Sequence, residues 1–450
     1  AYQEKKDYNR ALEYYEKALL ILKEIFGEMH PNTAVSYNNI GTVYREKEDY
    51  GRAIEYYGKA QAIRLAVLGD KHHSVAIGYN NLGSAYDSMG NYEQAIKFYE
   101  KALLILQEKQ SYQEVISFSQ NLGYTRLKVR QYSKSFASFL VGIETIEKVR
   151  KLNLSGGTDF TSRNINSYYC AAAACFSDGD MNNMFNISER MRAMGYIERL
   201  SLKAAIEASG IDPVKGKTLL KLKDEIERLT ALRHRLIAID TFSMDDQQKK
   251  ELDIQFRDNT MQLAGAESGF SKLDSEFMKN EKYRMLRDSN VVSVKTARSL
   301  CGNDGAIIEY IIPDKPDSCI KPYAIIITGS SINAVELDSS YNYSGQIEKY
   351  RNAIKDFKKQ EIDSIGAELY SVLIDPAAGF INSTNINRLI IVPDGSLAFL
   401  PFDSLKTGDN RYLSEKYELI LTPSVTVSSI TRSRKYDKRF NFMAFGGGLY

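Results

Sequence analysis

The stretch Ile391-Val392-Pro393-Asp394-Gly395-Ser396-Leu397-Ala398-Phe399-Leu400-Pro401-Phe402-Asp403-Ser404-Leu405 decides how the second half of this chain is read. The apolar run 389–392 stops at a Pro-Asp-Gly turn, and a second apolar run stops at Pro401. That pattern predicts a buried strand entering a shaped loop. Outward from it, short apolar runs at 306–312, 323–328 and 332–337 predict a meander. Helices at 344–360 and 364–374 precede the strand 388–392, and apolar runs at 419–421 and 442–445 follow. Strands mixed with helices of this length predict an α/β layer structure with the 388–392 strand buried centrally.

The N-terminal part has a different grammar. Asp7-Tyr8, Asp49-Tyr50 and Asn91-Tyr92 recur at a spacing of 42, and Ala11, Ala53 and Ala95 follow each pair by three. This is an internal repeat. One unit runs Tyr37, Ile40, Gly41, Tyr44, Ala53, Tyr57, Ala60, and the next runs Tyr79, Leu82, Gly83, Tyr86, Ala95, Tyr99, Ala102. Such spacing fits two amphipathic helices per unit, with small residues where the helices approach and aromatics opposite. A third unit is degenerate: Leu122, Gly123 and Phe139, with Ser135 and Gly142 at the small positions. Tyr2, Ala11, Tyr15 and Ala18 fit only the second part of the pattern, so an incomplete unit opens the chain. Beyond the repeats, 167–176 and 184–208 read as helical, 210–216 as a break, and 219–239 with 252–277 as an antiparallel helical hairpin that packs within the chain.

Composition bounds the function. With 59 basic and 57 acidic residues in 450, the net charge of +2 provides no field for nucleic acid or an anionic membrane. No apolar run is long enough to span a bilayer, and no signal peptide opens the chain. Cys170, Cys175, Cys301 and Cys319 have neither zinc-ligand spacing nor the density of a disulfide framework, which predicts a reducing, cytoplasmic setting.

The repeat pattern resembles tetratricopeptide repeats. Its longer period and its Leu68-Gly69-Asp70 and His30-Pro31 linkers are similar to the kinesin-light-chain variety, with Tyr37 and Tyr79 in place of the usual tryptophan. The second half resembles the CHAT family of caspase-like domains. The resemblance is carried by Ala306-Ile307-Ile308-Glu309-Tyr310, Val392-Pro393-Asp394-Gly395, Leu400-Pro401-Phe402, Leu405, Arg411-Tyr412-Leu413, Tyr417-Glu418-Leu419 and Thr422-Pro423-Ser424, in order. The segment 189–202 looks like the helix that often precedes such domains. Together they imply an α-helical tetratricopeptide-repeat solenoid followed by the N-terminal part of an α/β caspase-like domain. The expected divisions are 1–145 repeats, 146–288 degenerate helical repeats with the long hairpin, and 289–450 the CHAT part. The family's histidine and cysteine, base and nucleophile of peptide cleavage, would lie beyond Tyr450, so no catalytic residue is expected in this chain.

Local alternatives are bland. Cys301, beside Gly302, is the best candidate for an exposed thiol but has no basic partner in the sequence. Cys170 and Cys175 read as core residues of an alanine-rich helix. His72-His73 and His30 sit in linkers and read as turn determinants, and His234 lies among Arg233 and Arg235 as a solvated residue. Gly446 to Gly448 lack the Lys-Ser/Thr of a phosphate loop. Neither metal nor cofactor is expected.

The repeats' asparagines carry more information. Asn39, Asn81 and Asn121 each stand two residues before the unit's glycine, although asparagine is a mediocre helix former. In tetratricopeptide repeats this position faces the concave groove, where a carboxamide can both donate to and accept from an extended peptide. The alternative is an interhelix hydrogen bond between neighbouring repeats. Thr42, Ser84 and Tyr124, one turn along, share the face, with Arg45 and Lys128 as charge readers. Two functions stay open: partner-binding repeats coupled to a caspase-like cysteine protease domain, and a non-catalytic interaction scaffold. The expected partner is a protein or peptide in the groove, without direct nucleic-acid or membrane contact.

Overall fold

The recurrent Asp and Asn residues are helix caps. Asp7 Oδ1 accepts from the Arg10 N–H at 3.3 Å, Asp49 Oδ1 from Arg52 at 3.1 Å, and Asn91 Oδ1 from Gln94 at 3.3 Å. Each side chain satisfies a backbone donor that the first helical turn cannot. The structure is a computed structural model and describes residues 7–106, 111–151, 164–199, 202–237, 239, 246–280, 283–284, 291–317, 319–381, 386–426 and 428–429. Tyr2, the run 442–445, Gly446 to Gly448 and the His234 side chain lie outside the described residues.

Two compact units emerge, one of Ala1–Asp178 with Met194–Asp288, the other of Gly179–Ala193 with Ser289–Tyr450. The first is helical: α1 Tyr8–Phe26, α2 Pro31–Glu46, α3 Tyr50–Leu68, α4 His73–Ser88, α5 Tyr92–Leu106, α6 Tyr112–Lys128 and α7 Tyr132–Lys151. The pairs α2/α3, α4/α5 and α6/α7 pack through the predicted small-to-aromatic contacts. A Cβ placed on Gly41, Gly83 or Gly123 would fall 2.8, 2.8 or 2.7 Å from the rings of Tyr57, Tyr99 and Phe139 respectively. The degenerate third pair keeps the close crossing by a different bond, as Ser135 Oγ donates to Gly123 O at 2.8 Å.

α8 Asn166–Asp178, α9 Met181–Arg199, α10 Leu202–Ser209, α11 Pro213–Ile237 and α12 Asp246–Phe277 follow. The stretch 184–208, expected to be helical, is covered among the described residues by α9 and α10. α11 and α12 pack on each other with Leu219, Ile226, Leu229, Leu263 and Phe270 between them, so the hairpin's stripe is intramolecular. Tyr112 Oη, donating to Glu267 Oε1 at 2.7 Å, ties α12 to the repeats. No described helix is long and apolar enough to cross a membrane.

The second unit holds α13 Val294–Cys301, β1 Gly305–Ile311, β2 Tyr323–Thr328, β3 Ile332–Glu336, α14 Tyr343–Lys355, α15 Lys359–Leu373, α16 Ala378–Ile381, β4 Arg388–Val392, α17 Leu413–Lys416 and β5 Glu418–Leu421. The sheet order is β3-β2-β1-β4-β5, with β1, β4 and β5 parallel and β2 and β3 antiparallel. Ile308, Tyr310, Ile326, Leu389 and Ile391 face a core with Ile347 and Tyr350 of α14 and Leu369 and Leu373 of α15. The helix expected over 344–360 is instead α14 and the start of α15. Phe357 turns the chain at φ 57°, and the Lys358 N–H closes on Ala353 O at 3.0 Å. No glycine or proline marks that turn, which is why periodicity alone ran through it.

Candidate functional site

Two places hold the sequence-predicted residues. In the repeats, Asn81 Nδ2 donates to Asn38 Oδ1 at 2.9 Å, and Asn121 Nδ2 to Asn80 Oδ1 at 3.1 Å. Gln120 Nε2 continues the series to Ser167 Oγ on α8 at 2.6 Å. One donor of Asn81 and of Asn121 is therefore engaged by the preceding repeat. Asn39 makes no side-chain hydrogen bond to another described residue. Arg45 Nη1 reaches Ser84 Oγ at 3.0 Å, and Lys128 Nζ pairs with Asp87 at 2.6 Å. Thr42 Oγ1 donates to Asn38 O and accepts from Tyr57 Oη at 3.1 Å, while Tyr124 meets Phe139 edge-on. The face is thus a cross-linked polar ladder. Its first members, Asn38, Asn80 and Gln120, were missed in the sequence, although the doublets Asn38-Asn39, Asn80-Asn81 and Gln120-Asn121 display them.

The second place is the carboxyl edge of the parallel strands, where open α/β sheets place their ligands. Here the quoted stretch explains itself. Asp394 Oδ2 accepts from the Ile312 N–H at 2.8 Å, so the carboxyl after β4 satisfies the donor just past β1. Gly395 takes φ 53°, which glycine adopts without strain, and the chain then buries Leu397, Leu400, Phe402 and Leu405. Phe402 stacks on Tyr310 with centroids 6.0 Å apart. Thr422, of the Thr-Pro-Ser motif, extends β5 by donating its N–H to Ile391 O at 3.0 Å.

On the sheet's other face Glu309 is fully buried in β1. Arg192 Nη1 lies 3.0 Å from Glu309 Oε1 and 2.6 Å from Ser188 Oγ, and its Nη2 donates to Tyr310 O. Glu189, one turn earlier on α9, accepts from the Val425 N–H at 3.0 Å, the Thr426 N–H at 2.7 Å and Thr426 Oγ1 at 2.5 Å. Burial pushes the Glu309 carboxyl up to about 8, against the pull of Arg192. Burial also raises Asp394, again with Arg192 opposing. A single acid inside Ile-Ile-Glu-Tyr-Ile-Ile was the visible signal that β1 needed a cationic partner.

The histidines and cysteines form no dyad among the described residues. His30 Nδ1 and His72 Nδ1 cap α2 and α4, accepting from Asn32 N–H at 3.2 Å and Ser74 N–H at 3.1 Å. His73 faces Glu114 at 3.4 Å. Cys301, the best candidate for an exposed thiol, follows instead the structural reading of a cysteine that has no basic partner in the sequence. It is fully buried, with Sγ donating to Ala297 O and Ile327 O at 3.5 and 3.3 Å, because Gly302 takes the turn position at φ 63° and leaves the cysteine inside α13. Cys170 and Cys175 are buried in α8, as expected of core residues.

A helical repeat array joined to a mixed α/β sheet defines the class. A family model for tetratricopeptide repeats matches residues 1–66 and 43–108, and one for the CHAT domain matches 363–447. The chain carries tetratricopeptide repeats, modules that generally bind protein partners, and a CHAT domain. Among solved structures, BtubC (BKLC) from P. vanneervenii is similar at 20% identity, covering 43% of this chain and 75% of that one with a TM-score of 0.38. Nearly identical TPR-like repeats of kinesin-light-chain type from Podosopora anserina align at 18% identity over 43% and 89%, TM-score 0.36. The apo form of RapI aligns at 16% over 64% and 93%, TM-score 0.36. No curated protein matches the chain.

Proposed function

We propose that the repeats capture an extended protein segment and that the sheet unit belongs to a caspase-like cysteine peptidase whose base and nucleophile are not among the histidines and cysteines of this sequence. The observation that carries the reading is the Asp394 lock on Ile312, which shapes a loop at the carboxyl ends of β1 and β4 within the CHAT match. In the groove, Asn39, Asn81, Asn121, Thr42, Ser84, Tyr124, Arg45 and Lys128 are proposed to read the partner. Asn39 has an unengaged carboxamide among the described residues, and Asn81 and Asn121 keep a carbonyl oxygen to offer. The divisions 1–145, 146–288 and 289–450 and a cytoplasmic setting belong to the same proposal.

A non-catalytic scaffold is the second reading. The burial of Cys301 favours it. Incubating the 450-residue chain with a broad peptide library and an activity-based thiol probe tests the proposal. Silence here and cleavage by a chain extended past Tyr450 are expected. Cleavage by the 450-residue chain that is abolished in Cys301→Ala overturns it, and silence of the extended chain favours the scaffold.

A further inference from the structure

A cavity of about 510 Å³ opens at the opposite end of the sheet from the Asp394 loop. Gly305 pairs with Arg388 where β1 and β4 begin, and Ala306 pairs with Thr328 where β2 ends, so Gly302 and Gly329 in the cavity wall mark the amino ends of β1 and β4. Lys295, Arg298, Ser299, Asn182 and Asn303 supply its polar side chains, and no acidic side chain is among the described residues that line it.

The cations are arranged rather than scattered. Arg298 Nε donates to Gly329 O at 3.1 Å and Nη2 to Ser330 O at 2.7 Å, which fixes the plane of the guanidinium and leaves both Nη1 hydrogens and the second Nη2 hydrogen as donors. A donor held in place beforehand loses little freedom on binding a ligand. Lys295, one turn earlier on α13, makes no ion pair with any described residue. Asp304, next to Asn303 in the chain, is held by Arg388 Nη2 at 3.4 Å. The wall itself is bare backbone: a Cβ on Gly329 would fall 2.2 Å from Gly302 O, and Gly302 sits at φ 63°. The missing side chain lets these two main-chain segments cross closely.

Two cations with no acid among the described lining residues match a dianion, and a phosphate group offers both the charge and the acceptors that a guanidinium and an ammonium recognise. The cavity lies within the roughly 300 to 1,000 Å³ of small-molecule sites, which leaves room for an organic portion beside the two asparagine carboxamides. We propose that this cavity binds a small phosphate ester of about mononucleotide size, with its phosphate on Lys295 and Arg298.

Calorimetric titration of the full chain with 5′-AMP, with ribose 5-phosphate and with inorganic phosphate tests the proposal. At least one ester is expected to bind more tightly than inorganic phosphate. Lys295→Ala, which removes no hydrogen bond among the described residues, should weaken ester binding by at least about tenfold, the effect of losing one charge-assisted contact, without moving the unliganded melting temperature. Arg298→Lys, which keeps the charge but not the fork, should weaken it as well. Absence of heat with all three probes at about 10 mM overturns the proposal. So does binding that Lys295→Ala leaves unchanged, and so does equal affinity for ester and inorganic phosphate, which would reduce the cavity to an adventitious anion site.

Discussion

Asn81 Nδ2 donates to Asn38 Oδ1 across 2.9 Å, from the first helix of one repeat to the first helix of the repeat before it. Asn121 and Asn80 repeat the relationship one unit on. In these two bonds the first residue of a doublet accepts from the following repeat and the second residue of the next doublet donates to it. Asn39 stands at the second position of its doublet but makes no such bond among the described residues. Asn81→Ala should therefore cost about 0.5 to 1.5 kcal/mol of repeat stability, since it leaves the half-buried Asn38 oxygen unpaired. Asn39→Ala should cost less than about 0.5 kcal/mol, the usual effect of a substitution that touches no buried bond. Urea unfolding of the two variants separates them, and equal losses would show that the ladder is not what holds Asn81. If the groove reads an extended peptide, capture from a displayed peptide library should fall in Asn39→Ala while its unfolding curve stays put.

The glycines give a contrast within one helix pair type. Gly83 has Tyr99 Cδ1 2.8 Å from the position of a Cβ, whereas Gly58, in the middle of α3, has nothing within 4 Å. Tyr99 is buried and cannot withdraw. Gly83→Ala should destabilise by about 1 to 3 kcal/mol through overpacking, and Gly58→Ala should stabilise by roughly 0.5 to 1 kcal/mol through helix propensity. Opposite signs in thermal unfolding are the test, because a purely local propensity effect would stabilise both.

Much of this was legible before the structure, and the reason differs by element. The repeat declared itself because steric contact is periodic: Gly41 on Tyr57 and Gly83 on Tyr99 need the same residues at the same interval. The strands declared themselves because β1, β2 and β4 are buried on both faces and so read as unbroken apolar runs. What was not legible depends on pairing across distance. Glu309 reads as a flaw in β1 until Arg192, more than a hundred residues earlier, is seen to reach it. Cys301 could not be assigned inward or outward because an eight-residue helix gives periodicity too little length. The split between α14 and α15 was invisible because its left-handed residue is Phe357, a type that carries no turn signal.

Such left-handed residues also close the repeats. Glu48 at φ 62°, Gly90 at φ 84° and Arg130 at φ 59° occupy the same place between the two helices of successive units. After each, an N–H closes the turn: Asp49 on Tyr44 O, Asn91 on Tyr86 O and Gln131 on Arg126 O, all at 2.9 Å. A side chain with a Cβ is strained in this conformation by about 1 to 2 kcal/mol, partly offset by the extra chain entropy that glycine carries. Glu48→Gly and Arg130→Gly should each raise stability by roughly 0.5 to 1 kcal/mol, and Gly90→Ala should lower it by about as much. Urea midpoints of the three variants check the signs. A loss of stability in Glu48→Gly would place the weight on its side chain instead of its backbone.

Glu309 predicts a pH dependence of the sheet unit. Its carboxyl is fully buried on β1, and burial outweighs Arg192 at 3.0 Å, so the folded value stands near 8 against about 4.5 for a free glutamate. Between those values the folded chain keeps a proton that the unfolded chain has lost. The stability contributed by this group is thus complete below about pH 4.5 and is lost as pH rises through about 8, with a slope approaching 1.4 kcal/mol per pH unit. Glutamine imitates the protonated acid in shape and in hydrogen bonding. Glu309→Gln should therefore match the parent near pH 5, and toward pH 8 it should be the more stable of the two. Urea unfolding read by pulse proteolysis of the sheet unit at several pH values follows both chains. If the variant is instead several kcal/mol weaker near pH 7, the cost of stranding a buried arginine, then the ionised pair with Arg192 holds β1 and burial does not rule the carboxyl.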